Sequence, residues 1–194
     1  MTKCLSSLRI NNYVIETYSD RPDFKVIEVN QVHENDILND FEVNSNSKAD
    51  GIISSDLKTP LAIRTADCLP IIFIGEEGVA NIHAGWRGLA KEILLNDLIE
   101  QIKPTHVYIG AHIREVSFEV SDDFKENFPN SPFFKENNGK LFFNMEEEAI
   151  RQIKSKFKNI EVITSNVCTY QDLEYNSYRR DKTNIRNWNI IKRN

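Results

Sequence analysis

The stretch from Thr65 to Gly88, TADCLPIIFIGEEGVANIHAGWRG, constrains the fold more than any other part of the chain. Its two apolar runs, LPIIFIG and GVANIHAG, are joined by the turn Gly75-Glu76-Glu77-Gly78 and read as neighbouring strands. Cys68 stands in front of the first run and His83 closes the second, so a thiol and an imidazole fall at matching ends of the pair. Asp67, Pro70, Gly85, Trp86 and Arg87 flank them, and a plain core strand avoids such residues. Strand ends that lead into loops are where α/β proteins gather reactive groups.

Around this pair the chain alternates strands with helices. Leu8–Thr17 and FKVIEVNQVH (Phe24–His33) alternate as strands, and Asn35–Lys48 reads as an exposed loop rich in Asn, Asp and Ser. ADGIISS, PLAIRTAD, HVYIGAHI and NIEVITSNVCT supply further strands. After Gly88, apolar residues at Leu89, Ile93, Leu94, Leu98, Ile99 and Ile102 lie on one face of a predicted helix that Pro104 closes. Ser121–Phe128 is predicted as a helix capped by Ser121, and Met145–Phe157 as another. The expected fold class is α+β (mixed α/β), as one domain over residues 1–194.

Composition narrows the partners. A net charge of -5 argues against a nucleic-acid or anionic-membrane surface and towards a small-molecule or protein partner. Three scattered cysteines, Cys4, Cys68 and Cys168, build no disulfide framework and point to a reducing compartment. The N-terminal residues do not read as a signal peptide, and no window approaches the roughly 20 apolar residues that cross a bilayer. The expected location is cytoplasmic.

Only four histidines are present, and His33, like His83, ends a strand pattern. Two imidazoles and a thiolate suit a zinc site with three protein ligands and an open fourth position, and the same set accepts copper as Cu(I). Cys68 equally suits a small core position, and His106, His112, Cys4 and Cys168 are expected to be structural. Arg64, Asp67 and Arg87 lack an obvious structural reason. An arginine between Gly85 and Gly88 at a helix start would bind phosphate or carboxylate together with backbone N–H groups.

NQVH, KADGIISS, TADCLPI, NIHAGWRGL, IGAHI, FEV and CT…YNSYRRDKTNIR together resemble the YfiH-like, laccase-domain family, over roughly Val29 to Arg186. The family carries two functional names, multicopper polyphenol oxidase and purine nucleoside phosphorylase. The resemblance implies one zinc ion held by His33, Cys68 and His83. It also implies a layered αββα-type fold with mixed sheets, like that of a bacterial toxin deamidase with a Cys–His pair. Ala111, Ser117 and Asn184-Ile185-Arg186 depart from the family pattern without removing a proposed ligand.

Counting decides between the two names. A multicopper oxidase needs about eight imidazoles for its trinuclear cluster alone, and this chain has four histidines. Phosphorolysis of adenosine, inosine or methylthioadenosine instead needs a cationic cradle, for which Arg64, Arg87 and Arg179 or Arg180 are candidates. Adenosine deamination needs a metal-activated hydroxide and an acid/base group, for which Asp67 is the nearest carboxylate in sequence. Trp86 or Tyr178 would stack on the base. Two alternatives stay open: a cysteine hydrolase with Cys68 as nucleophile that edits cell-wall precursors, and a non-catalytic binding module tied together by metal.

Overall fold

The computed structural model describes residues 2–194. The chain begins with a hairpin, β1 (Cys4–Ile10) and β2 (Tyr13–Tyr18), followed by β3 (Ile37–Asn39), β4 (Gly51–Ser54), β5 (Leu61–Thr65), β6 (Leu69–Gly75) and β7 (Gly78–Ala84). Short helices α1 (Trp86–Ala90) and α2 (Leu98–Gln101) lead into β8 (Pro104–Ile109) and β9 (Glu119–Val120). A hairpin of β10 (Phe134–Asn137) and β11 (Lys140–Phe143) precedes the longest helix, α3 (Met145–Lys156). β12 (Glu161–Thr164), α4 (Tyr178–Asp181) and β13 (Asn187–Arg193) complete the chain.

The two apolar runs pair as expected. β6 and β7 are antiparallel, from Leu69 opposite Ala84 to Gly75 opposite Gly78, at the centre of a mixed six-stranded sheet ordered β12-β8-β6-β7-β4-β3. Their residues are apolar on both faces because both faces are covered. Leu69, Ile71, Phe73, Ala80 and Ile82 pack with Leu89 of α1, Ile99 of α2 and Ala149 and Ile153 of α3. Ile72, Ile74 and Val79 pack on Ile15, Leu61, Ile63 and Ile191 of an antiparallel sheet ordered β1-β2-β13-β5. Helices, six-stranded sheet and four-stranded sheet thus form successive layers. Burying each of these large side chains contributes about 1.5–3 kcal/mol before chain entropy is counted. Asn81 fixes how the two sheets lie on each other, since its Nδ2 donates to the carbonyls of Leu61 and Asn189 at 3.1 and 2.9 Å.

Several segments depart from the pattern in the sequence. The predicted helix over 89–102 is broken into α1, a 3-10 turn at Ile93–Leu95 and α2, with Glu92 left-handed at φ 57°. Asn96 Oδ1 accepts the Leu98 N–H at 3.0 Å, a local bond that competes with helix, and α3 donates to the carbonyls of Leu89 and Leu95 through Gln152 and Lys156. Phe24–His33 forms only single bridges among the described residues, Ile27 to Leu61 and Asn30 to Lys48, and at its end the N–H groups of Val32, His33 and Glu34 bind a carboxylate instead of a strand. The expected loop over 35–48 contains β3 and a 3-10 turn at Asp40–Glu42. Asp122–Asn127 is also a 3-10 segment, with no side-chain cap from Ser121. The β10–β11 turn has Asn138 and Gly139 both at positive φ, the Asn-Gly signature of a tight hairpin.

Candidate metal centre and cleft

The register of β6 and β7 builds the site. His83, the penultimate residue of β7, lies opposite Pro70, and Cys68 sits just ahead of β6, so both reach the same end of the sheet. Asp67, at φ 90°, turns the chain sharply before Cys68. His33 arrives from a separate segment, with φ 62°. The ligand atoms of His33, Cys68 and His83 all lie within 4.8 Å of one another, and the two imidazoles stand edge to face at 4.7 Å.

Gly85 explains how these atoms stay clear of other groups. A Cβ at that position would lie 3.1 Å from Cys68 Sγ, 3.2 Å from His33 Nδ1 and 3.7 Å from His83 Nε2. Three soft or borderline donors therefore face a small space that any larger residue would fill. The donor set suits zinc or Cu(I), and its geometry fits a single cation.

Charge in the site is strongly coupled. Burial pushes the Cys68 thiol up, but the facing His83 and the hydrogen bond from His33 outweigh it and bring the thiol down to about 6. Burial likewise pushes His83 down, but the Cys68 sulfur and the Asp50 carboxylate outweigh it and raise the imidazole to about 9. The site thus favours a thiolate beside an imidazolium, and a cation held there would take the place of the proton on His83 Nε2.

Of the ten site residues singled out in the sequence, all but Arg180 line one cleft of about 770 Å³ that opens over His33, Cys68 and His83. Their roles in it differ. Arg87 lays its guanidinium over the Trp86 ring at 4.4 Å and forms no ion pair with a carboxylate among the described residues. α1, which starts after Gly85, is only five residues long, and the guanidinium is held by the indole. Arg179 spans the cleft wall, over Phe118 at 5.2 Å and donating to the Glu119 carbonyl at 2.9 Å. Arg64 is partly engaged elsewhere, donating to the Val29 carbonyl at 3.0 Å and lying 3.6 Å from Glu28. Arg180 points away from the cleft and clamps the carbonyls of Thr169, Tyr170, Asp172 and Tyr175. Asp67 is occupied as a strut: one oxygen accepts from the Thr169 hydroxyl at 2.8 Å, the other from the Arg179 N–H at 2.6 Å.

The carboxylate behind the two histidines of the candidate metal centre is Asp50, to which the sequence assigned no role. It is fully buried, and its Oδ1 lies 2.7 Å from His83 Nδ1. The signal was an acid set directly before a four-residue strand that the sheet buries completely. Lys182 and Phe118 also line the cleft and were passed over. Ala111 is buried outside the cleft, whereas Arg186 lines it. His112 and Cys168 are buried behind the cleft floor, His106 lies along β8 and Cys4 is exposed at the start of β1.

Residues 10–194 match the family described as multi-copper polyphenol oxidoreductase laccase. A purine nucleoside phosphorylase of Aquifex aeolicus is 39% identical over 144 residues, covering 72% of this chain and 68% of the relative. The purine nucleoside phosphorylase YfiH of Shigella flexneri is 33% identical over 171 residues, covering 82% and 70%. The crystal structure of protein NMB0706 from Neisseria meningitidis superposes with a TM-score of 0.83 at 23% identity, over 98% of this chain and 99% of that one. Among the described residues, no helix is long and apolar enough to cross a membrane.

Proposed function

The chain belongs to the multi-copper polyphenol oxidoreductase laccase family, and from that premise we propose that it is a zinc-dependent purine nucleoside enzyme. Relatives named purine nucleoside phosphorylase support an enzyme acting on purine nucleosides. The observation that carries the metal part is the convergence of His33 Nδ1, Cys68 Sγ and His83 Nε2 around the space kept open by Gly85. These three residues would hold the ion, which would supply Lewis acidity at the floor of the cleft.

In phosphorolysis the C1′–N9 bond of the nucleoside breaks and a phosphate oxygen bonds to C1′. The purine leaves with the electron pair and takes up a proton. Arg87 and Arg179, each fixed over an aromatic ring, offer guanidiniums to the dianion, and Lys182 adds charge at the rim. Trp86 and Tyr178 offer ring surface to the base. Deamination of adenosine at the same centre would use the same floor without the phosphate. The test is direct: protein with zinc verified by metal analysis is expected to release adenine or hypoxanthine from adenosine or inosine only with phosphate, or inosine from adenosine without it. Absence of all three products overturns the reading.

A second reading has its own observation. Cys68, His83 and Asp50 form a relay of thiol, imidazole and buried carboxylate, as a cysteine hydrolase acting on cell-wall precursors would need. Chelation separates the two, since removal of metal abolishes a zinc enzyme and spares a thiol enzyme.

A further inference from the structure

One buried carboxylate holds both histidines of the centre. Asp50 Oδ1 faces His83 Nδ1 at 2.7 Å and also accepts the His33 N–H at 3.0 Å. Its Oδ2 accepts the N–H groups of Val32 at 3.3 Å and Glu34 at 2.7 Å. Its own carbonyl accepts the His83 N–H at 2.7 Å. Three consecutive N–H groups thus converge on one anion, a nest that holds His33 in a left-handed conformation which otherwise costs about 1 kcal/mol or more.

We infer that Asp50 is the positioning residue of this centre, setting the tautomer of His83 and the orientation of His33 together. The inference rests on the reading of His33, Cys68 and His83 as metal ligands. A carboxylate only accepts, so His83 Nδ1 carries a proton in either charge state. When the ring is neutral, the form a metal requires, Nε2 on the side of Cys68 and Gly85 is the nitrogen left with a lone pair. Asp50 touches neither the cleft nor a reacting atom, and acts only through the two imidazoles.

Asp50→Asn tests this with nearly unchanged shape. Placing the amide oxygen towards Val32 and Glu34 orphans one N–H, that of His33; the opposite placement orphans two. The first placement prevails, and the amide NH₂ then donates to His83 Nδ1. That forces the proton of neutral His83 onto Nε2 and withdraws the lone pair from the metal side.

The expected results are a 10–100-fold weaker affinity for Zn²⁺ alone, measured by competition with a chromophoric chelator, and a switch of His83 from the Nδ1–H to the Nε2–H form in long-range ¹H–¹⁵N spectra. A merely structural role would lower the melting temperature without switching the tautomer. Zinc affinity within about threefold of wild type, or neutral His83 still protonated at Nδ1, overturns the inference. Should the variant fail to fold, the wild-type protein loaded with zinc decides: a proton on His83 Nδ1 upholds it, and none there overturns it. Neither readout uses a nucleoside, so the inference survives if the protein turns over no purine nucleoside and falls separately if Asp50 is silent.

Discussion

His83 and His112 are both almost fully buried, 3% and 1% exposed, and both lie at the same end of the six-stranded sheet, one in β7 and one just past β8. Each ring bonds an oxygen through Nδ1, Asp50 for His83 and the Gly110 carbonyl for His112. Their charge states nevertheless diverge. His83 is raised to about 9, because Cys68 and Asp50 outweigh its burial. His112 is held down at about 4 by burial, with Arg114 pushing the same way and only the Gly110 carbonyl and Asp67 opposing. Burial alone therefore does not mark a functional histidine. What marks it is an anion at one nitrogen and an open, donor-lined space at the other.

The largest expected effect breaks the comparison outright if it fails. His83→Ala removes one of three proposed ligands and is expected to lower kcat/KM by about a thousandfold, equivalent to the several kcal/mol a Lewis-acid metal supplies. His112→Gln is expected to leave turnover within about threefold, since its ring touches no cleft residue's donor atom. Steady-state kinetics with metal content measured in parallel checks both. Comparable losses would mean that the two rings are not distinguished by their partners.

A smaller change sharpens the same contrast by filling the open space rather than removing a ligand. At φ -73° and ψ 168°, Gly85 has a backbone conformation that alanine adopts without strain. Gly85→Ala should therefore leave the melting temperature within about 2–4 °C of wild type, since the substitution alone tends to stabilise by roughly 0.4–1 kcal/mol. Its methyl would crowd Cys68 Sγ and His33 Nδ1 at 3.1 and 3.2 Å, and displacing ligands on that scale is expected to cost about a hundredfold in turnover. Calorimetry beside the kinetic assay checks it; activity equal to wild type would mean that nothing needs to sit between the three side chains.

These contrasts were only partly legible in the sequence. The approach of Cys68 to His83 was, because two apolar runs joined by a short turn have only one sensible register and it puts both residues at one sheet end. The helices α1 and α2 were blurred into one, because periodicity reports which residues are buried and not where Glu92 and Asn96 break the backbone. β13 was unread although it lies inside the four-stranded sheet, since NWNIIKR mixes buried asparagines with isoleucines and its polar side chains are satisfied largely by distant residues such as Thr17 and Thr65. Asp50 was hidden for the same reason. In KADG it resembles a turn acid, and its four partners come from two segments that nothing local connects.

The smallest effect concerns the partner of His112. With its Nδ1–H donated to Gly110, neutral His112 presents a bare lone pair at Nε2, which faces Glu146 Oε2 at 3.8 Å, and neither atom has a hydrogen-bond partner among the described residues. Burial raises Glu146 above the usual carboxylate range, with Arg114 opposing. Glu146→Gln lets an amide NH₂ donate to His112 Nε2 while its oxygen keeps the bond from Arg114, now at 3.2 Å. The expected gain at pH 7.5 is about 1 kcal/mol, or roughly 2–4 °C in melting temperature. The sign with pH follows from which state takes up protons. Below its raised pKa the wild-type carboxyl carries a proton that serves the same lone pair, so the advantage of glutamine must shrink as the solution is acidified. In both proteins the unfolded chain protonates His112 near 6.5 while the folded one does so only near 4, so stability falls as pH drops through that window. In the wild type, proton uptake by folded Glu146 offsets part of that fall, and in the variant nothing does. Urea midpoints at pH 7.5 and 5.0 should therefore show a gain that narrows or reverses in acid. A gain that widens in acid would mean that the carboxylate and the imidazole do not share a proton.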